Sequence, residues 1–183
     1  MRANWLRCQL SSWYARLVER QTEELSAWLN LIQTHEAVAA GLEDMLKRAN
    51  GLSLAQHEVL VRLAEAPEGR LRMLDLTGLV LLSKSGMTRM IDRMERDGLV
   101  ERQSCDTDRR VVYAAIMPKG RRILDETTPV FLAGIEEHFS RHLSEAEVRA
   151  LRKILRKLLA GNGQWEEARC EMAPASASAR LAG

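Results

Sequence analysis

Apolar positions recur along most of this chain at the three- and four-residue spacing of a helix, and the interruptions divide it into elements. Leu6, Leu10, Trp13, Tyr14 and Leu17 give residues 5–18 a helical stripe, so the extension at 1–20 could carry an extra helix. A longer stripe follows at about 22–49, through Leu25, Trp28, Leu29, Ile32, Ala39, Leu42 and Leu46, and Asn50-Gly51 ends it. Ser53 and Gln56 form a capping box that opens a helix to about Glu65, with Leu60 and Leu63 on its buried side. "APEG" at 66–69 is a loop. "RLRM" at 70–73 suits a short strand, and "LDLTGLVLL" a short helix with Leu76, Leu79 and Val80 inward. Ser83 then caps a helix that Gly98 stops.

Between Leu99 and Ile116 the period drops to two. Val100, Arg102 and Ser104 share one face, opposed by Val112, Ala114 and Ile116, with Asp106-Thr107-Asp108 between them; this predicts a β-hairpin with a polar tip. Pro118 fits the first turn of a helix to about Arg141, bent at Pro129. Ser144 and Glu147 form a second capping box, with Leu143 and Val148 placed as a staple. Its helix carries Leu151, Ile154, Leu155, Leu158 and Leu159 on a wide stripe. From Gly161 the composition turns to Gly, Ala and Ser, so 161–183 reads as a disordered tail.

Composition narrows the class. The 183 residues are 46% hydrophobic and 28% charged, as in a soluble globular protein. No apolar run approaches the roughly 18 residues of a membrane span. Arg2, Arg7, Arg16 and Arg20 break the N-terminus, so it does not read as a signal peptide. Cys8, Cys105 and Cys170 make neither a disulfide framework nor a cysteine zinc site, which fits a cytoplasmic location. Net charge is only +2, but its distribution is uneven. Residues 20–83 carry six Lys and Arg against nine acids, whereas 84–122 carry ten against six.

That basic segment is "SKSGMTRMIDRMERDGLVERQSCDTDRR", residues 83–110. Met87, Met90, Ile91 and Met94 would anchor one face of its helix, leaving Ser85, Thr88, Arg89, Asp92 and Arg96 outward. Small hydroxyls early in the helix and guanidiniums along it suit a DNA major groove, and a hairpin with Arg109 and Arg110 suits the neighbouring minor groove. A solvated amphipathic helix with an ordinary surface hairpin is the plainer alternative. The order helix, short helix, turn, helix, hairpin is that of a winged helix-turn-helix.

Here the sequence resembles the MarR family of bacterial transcriptional regulators, through "LLSKSGMTRMIDRMERDGLVER" and "DRRVVYAAIMPKGRRIL", over roughly residues 25–158. The resemblance implies a mainly α fold, with a winged helix-turn-helix at about 53–117 between dimerisation helices at about 21–49 and 118–160. It implies a ligand-responsive repressor that binds double-stranded DNA as a homodimer on a pseudo-palindromic operator. DNA contacts would come from Ser83, Lys84, Ser85, Thr88, Arg89 and Arg93 on the recognition helix, and from Arg109 and Arg110 on the wing, with Asp108 steadying neighbouring arginines. Met117 departs from the family, which usually caps the helix at Pro118 with Thr. The stripes at 22–49 and 144–159 also look wider than one winged domain could cover, which favours a second copy, with packing of the two helices against each other within one chain as the alternative.

Other residues carry less. Trp13, Trp28 and Glu58 resemble the effector site of the family's urate-responsive branch, which implies an aromatic or anionic small-molecule effector. Glu65 stands where that branch has a basic residue, which weighs against the likeness, and core packing is the better reading of either tryptophan. His138 and His142, four apart on the expected helix beside Glu136 and Glu137, have a spacing able to hold a divalent metal; a salt-bridging surface explains them equally well, and no metal site or cofactor is assigned. Cys105 at the wing could sense oxidation, but the sensing cysteine of peroxide-responsive relatives lies in the first dimerisation helix, where this chain has none, and an incidental hairpin cysteine is the favoured reading. A redox- or metal-responsive regulator of the same fold, or a winged protein-interaction module, are thus the alternatives. An enzyme is disfavoured, since the chain has no Gly-rich phosphate loop, nucleophile elbow or H-E-x-x-H.

Overall fold

The computed structural model describes residues 22–79, 84–104 and 110–163. Of the described residues, those at 22–41 group as one unit and those from Leu42 onward as a second. Helix α1 (Glu23–Asn50) opens with Glu23 and Glu24 and closes with Lys47 and Arg48, charges placed to complement the helix dipole. In the first unit Trp28 and Leu31 are exposed, at 56% and 36%, while Leu25, Leu29 and Ile32 are partly covered. Among the described residues Trp28 is therefore not packed in a core. In the second unit Leu42 and Leu46 are buried.

Helix α2 (Leu54–Glu65) begins at the predicted capping box. Ser53 Oγ accepts from the Gln56 N–H, while Gln56 Oε1 accepts from the Ser53 N–H at 2.9 Å. The Glu43 carboxylate on α1 accepts from the Leu54 N–H, satisfying one more donor at the same helix start. A 3-10 turn at Pro67–Gly69 leads into β1 (Arg70–Arg72), α3 (Met73–Leu79) and α4 (Lys84–Arg96). The strands β2 (Val100–Ser104) and β3 (Val112–Ile116) follow.

The hairpin has the register that its alternation predicts: Val100 pairs with Ile116, Arg102 with Ala114, and Ser104 with Val112. The short strand at "RLRM" finds its partner on the far side of β3, giving an antiparallel sheet in the order β1-β3-β2. Beneath it lies the core. Leu60, Leu63, Leu76, Met87, Ile91, Met94 and Val100 are each at most 1% exposed, so α2, α3, α4 and the sheet share one apolar interior.

Helix α5 (Pro118–His138) starts at Met117, which makes no side-chain cap, as its departure from Thr implies. The Met117 N–H instead donates to the Leu99 carbonyl at 2.9 Å. The same carbonyl meets Gly120, where a Cβ would lie 2.2 Å from it, so only glycine lets the helix approach this closely. Gly120→Ala should therefore cost about 1–3 kcal/mol of stability in urea unfolding. A loss below about 0.5 kcal/mol would mean that the helix start can shift.

The expected helix to Arg141 ends three residues early, at His138. Phe139 leaves helical geometry at φ −131 and ψ −69, and Ser140–His142 form a 3-10 turn. Pro129 lies inside α5 and supplies no N–H, and beside it the Thr128 hydroxyl donates to the Leu124 carbonyl at 2.7 Å. Helix α6 (Glu145–Gly161) has the second capping box, between Ser144 and Glu147. None of its residues is buried, and Ile154 and Leu158 are 56% and 49% exposed.

Candidate nucleic-acid interface

The face that could meet DNA is built from the inside of α4 outward. Met87, Ile91 and Met94 are fully buried and Met90 is partly so, and this fixes the helix about its own axis. Ser85, Thr88, Arg89, Arg93 and Arg96 are exposed, so the expected recognition residues share the solvent side. Lys84 opens the helix, its side chain outside the described residues. The Arg89 Nε donates to the Ser85 carbonyl at 3.4 Å, a long bond that an incoming base edge can replace. Arg110 is exposed just before β3. Ser83, Cys105, Asp108, Arg109 and Trp13 lie outside the described residues.

Asp92, on the outward face by its spacing, turns out to be engaged. Arg102 on β2 reaches across to α4, with Nη2 2.6 Å from Asp92 Oδ1 and Nη1 2.7 Å from Glu95 Oε2. The Arg102 N–H also donates to Glu95 Oε1 at 3.0 Å, and its Nη2 to the Thr88 carbonyl at 3.4 Å. One guanidinium thus ties the wing strand to the recognition helix at three residues. It also neutralises two carboxylates that would otherwise repel phosphates. The sequence signal was available: a charged residue in register with buried Val100, and two acids at i, i+3 on the helix facing it.

Between α4, the start of α3 and the tip end of the hairpin lies a hollow of about 500 Å³, lined in part by Arg72, Thr88, Arg102 and Arg110. Arg72, at the end of β1, stands out only in the folded chain, because its neighbours come from α4 and β3.

Of the effector candidates, Glu58 lies beside Arg62 one turn along α2, at 4.0 Å, and Trp28 is exposed on the first unit. His57, not singled out by its sequence, is 3% exposed and stacks on Phe131 of α5 with ring centroids 4.7 Å apart. Its buried Nε2 has no hydrogen-bond partner, and burial holds its pKa down to about 4. His138 and His142 do not lie four apart on one helix, since α5 ends at His138. Among the described residues no three His, Cys, Asp or Glu gather as a metal site. No described helix is long and apolar enough to cross a membrane.

A three-stranded wing beside a core-locked helix with a basic outer face defines a winged helix-turn-helix protein. The MarR family profile matches residues 52–112, which span α2 to the start of β3. The transcriptional repressor MprA of Escherichia coli K12 is 30% identical over 123 residues, 67% of this chain and 69% of that protein. The regulator MhqR of Bacillus subtilis is 35% identical over 79 residues, 43% of this chain and only 54% of MhqR, so the match spans about half of that relative. Sco3205, a MarR family transcriptional regulator from Streptomyces coelicolor solved in complex with DNA, superposes with a TM-score of 0.72 at 27% identity. That superposition covers 77% of this chain and 88% of Sco3205. The chain belongs to the MarR family of transcriptional regulators.

Proposed function

We propose that this chain is a repressor that acts in the cytoplasm as a homodimer on a pseudo-palindromic operator, released by an aromatic or anionic small molecule. The observation that carries the proposal is α4 itself: a helix pinned by three buried apolar side chains that presents Ser85, Thr88, Arg89 and Arg93 outward. Arginine reads guanine bidentately in the major groove, while hydroxyls hold phosphates. The repressor MprA and the DNA-bound Sco3205 support the reading. The open apolar face of α6 supports a second copy. The unpaired Nε2 of His57, where α2 meets α5, supports an effector-sensitive joint.

The test is selection of duplexes from a random pool, followed by salt titration of the winner. Binding should weaken steeply with salt, and Arg89→Ala should lose about 1–3 kcal/mol with relaxed preference at one position per half-site. Salt-insensitive or absent binding would leave a protein-interaction module instead. Unchanged base preference in the variant would remove Arg89 from the readout.

A further inference from the structure

We propose that the cationic face of α6 is a second DNA-binding surface, which takes the phosphate backbone of a duplex independently of its sequence and of α4. The inference stands apart from the reading of α4 as the recognition helix. It takes from the proposed dimer only that the apolar stripe of α6 is covered.

After Glu145 and Glu147 in its first turn, α6 carries Arg149, Arg152, Lys153, Arg156 and Lys157 and no further acid. All five are exposed. At about 3.6 residues per turn they fall within about 140° of the helix circumference, on the side opposite Leu151, Ile154, Leu155 and Leu158. A second copy on the apolar stripe therefore leaves this face turned outward. Arg149, Arg152, Lys153 and Arg156 line a hollow of about 390 Å³, in which no other described side chain takes part.

The needs of the helix do not account for the pattern. Its cations four residues apart are Arg149 and Lys153, Arg152 and Arg156, and Lys153 and Lys157, pairs of like charge that oppose helix formation. Helix α1 shows the other solution. There Lys47 lies 2.8 Å from Glu43 and Arg48 3.5 Å from Asp44, each cation answered one turn back. In α6 only Arg149 has an acid in that place, Glu145 at 3.2 Å, and both side chains of that pair are largely in solvent. No acid among the described residues pairs with Arg152, Lys153 or Lys157. Those three charges stand ready for an outside anion.

The make-up of the face selects the anion. A protein partner needs an apolar centre to its interface, and this hollow offers none. A membrane would take the apolar stripe as well, which the proposed second copy covers. Interfaces with DNA are by contrast polar and strongly positive. Guanidiniums hold phosphate bidentately and lysine holds it as a point charge, so a row of both follows a backbone without reading its bases.

The experiment uses the full chain with α4 disarmed by Arg89→Ala and Arg93→Ala, and a random-sequence duplex followed by fluorescence anisotropy. That chain should still bind, and weaken as salt rises. Adding Arg152→Gln and Lys153→Gln should lower the salt slope by about 1.8 units, so that the deficit shrinks about twelvefold between about 50 and 200 mM salt. Glutamine keeps the helix propensity and removes the repulsion, so light scattering should show the same dimer. Arg152→Lys with Lys153→Arg should bind as the disarmed chain does, because a phosphate accepts either cation. No duplex binding by the disarmed chain, undiminished binding after the glutamine changes, or a deficit constant with salt overturns the inference. Loss of the dimer would place this face between the copies and overturns it as well. So does equal competition by a polyglutamate peptide, which would mark an acidic protein as the partner, or capture of anionic phospholipid vesicles in preference to duplex. With α4 intact, the glutamine changes should leave base preference in a duplex selection untouched, and an altered preference counts against the inference. An intact chain that selects no preferred sequence, yet keeps the binding that Arg152 and Lys153 support, sinks the proposed function and leaves this surface standing.

Discussion

Acidifying from pH 7 to pH 5 should cost the folded chain about 2 kcal/mol through one side chain, His57. The imidazole is 3% exposed, stacked on Phe131, and its Nε2 has no acceptor nearby. Burial holds its pKa down to about 4, against 6.5 for the ordinary group. The folded state therefore disfavours the proton that the unfolded chain accepts. At pH 7 both states hold a neutral ring and nothing is lost. Below about 6.5 only the unfolded chain binds the proton, so stability falls with each step of pH until the folded pKa is reached near 4, a total of about 3 kcal/mol. Urea unfolding of wild type and His57→Leu at pH 7, 6 and 5 isolates the effect. Leucine keeps the apolar contact with Phe131, so the variant should lie above wild type by an amount that grows with acidity. Parallel curves would show that the ring finds an acceptor when protonated.

A chain ending at Leu143 should run as a monomer where the full chain runs as a dimer at micromolar concentration. Helix α6 has no buried residue in the single chain, yet Leu151, Ile154, Leu155 and Leu158 form a continuous stripe on it. Burying each against a second copy contributes about 1.5–3 kcal/mol before the costs of association. Losing the stripe from both copies should weaken the dimer by more than about 1,000-fold. Leu158→Glu is the milder counterpart. That side chain is 49% exposed in the single chain, so the fold does not depend on it, while a charge in the interface would be unpaired. A monomeric full-length chain by light scattering would remove the two-fold operator from the proposed function. A dimer that survives both changes would place the contact elsewhere.

What the sequence makes legible follows the range of the interactions. Both capping boxes, at Ser53 and Ser144, close over three residues and stand as expected. The β2–β3 register is equally local, since alternation about a short tip leaves one pairing that buries Val100 and Ala114 together. The end of α5 was not legible, because Phe139 extends the apolar stripe although its backbone leaves the helix. His57 and Arg72 were missed for a different reason. The first is defined by Phe131 and the second by Tyr113 and Arg110, partners that periodicity within a single element cannot reveal. Trp28 shows the converse, a large apolar residue that this chain leaves open.

The Leu99 carbonyl takes the Met117 N–H and abuts Gly120, while Lys119 Nζ donates to the Asp97 carbonyl at 2.7 Å at the end of the turn leaving α4. Those contacts make the base of α5 a weld rather than a hinge. In a two-fold assembly, tilting one α5 against its mate would swing α4 as a rigid pointer, with no freedom at the joint to absorb the motion. Half-sites one helical turn apart lie about 34 Å apart on one face of a duplex, so a few degrees of tilt between the two α5 helices would move both pointers off their grooves together. The proposed dimer would then measure DNA spacing through α5, and release it without unfolding anything.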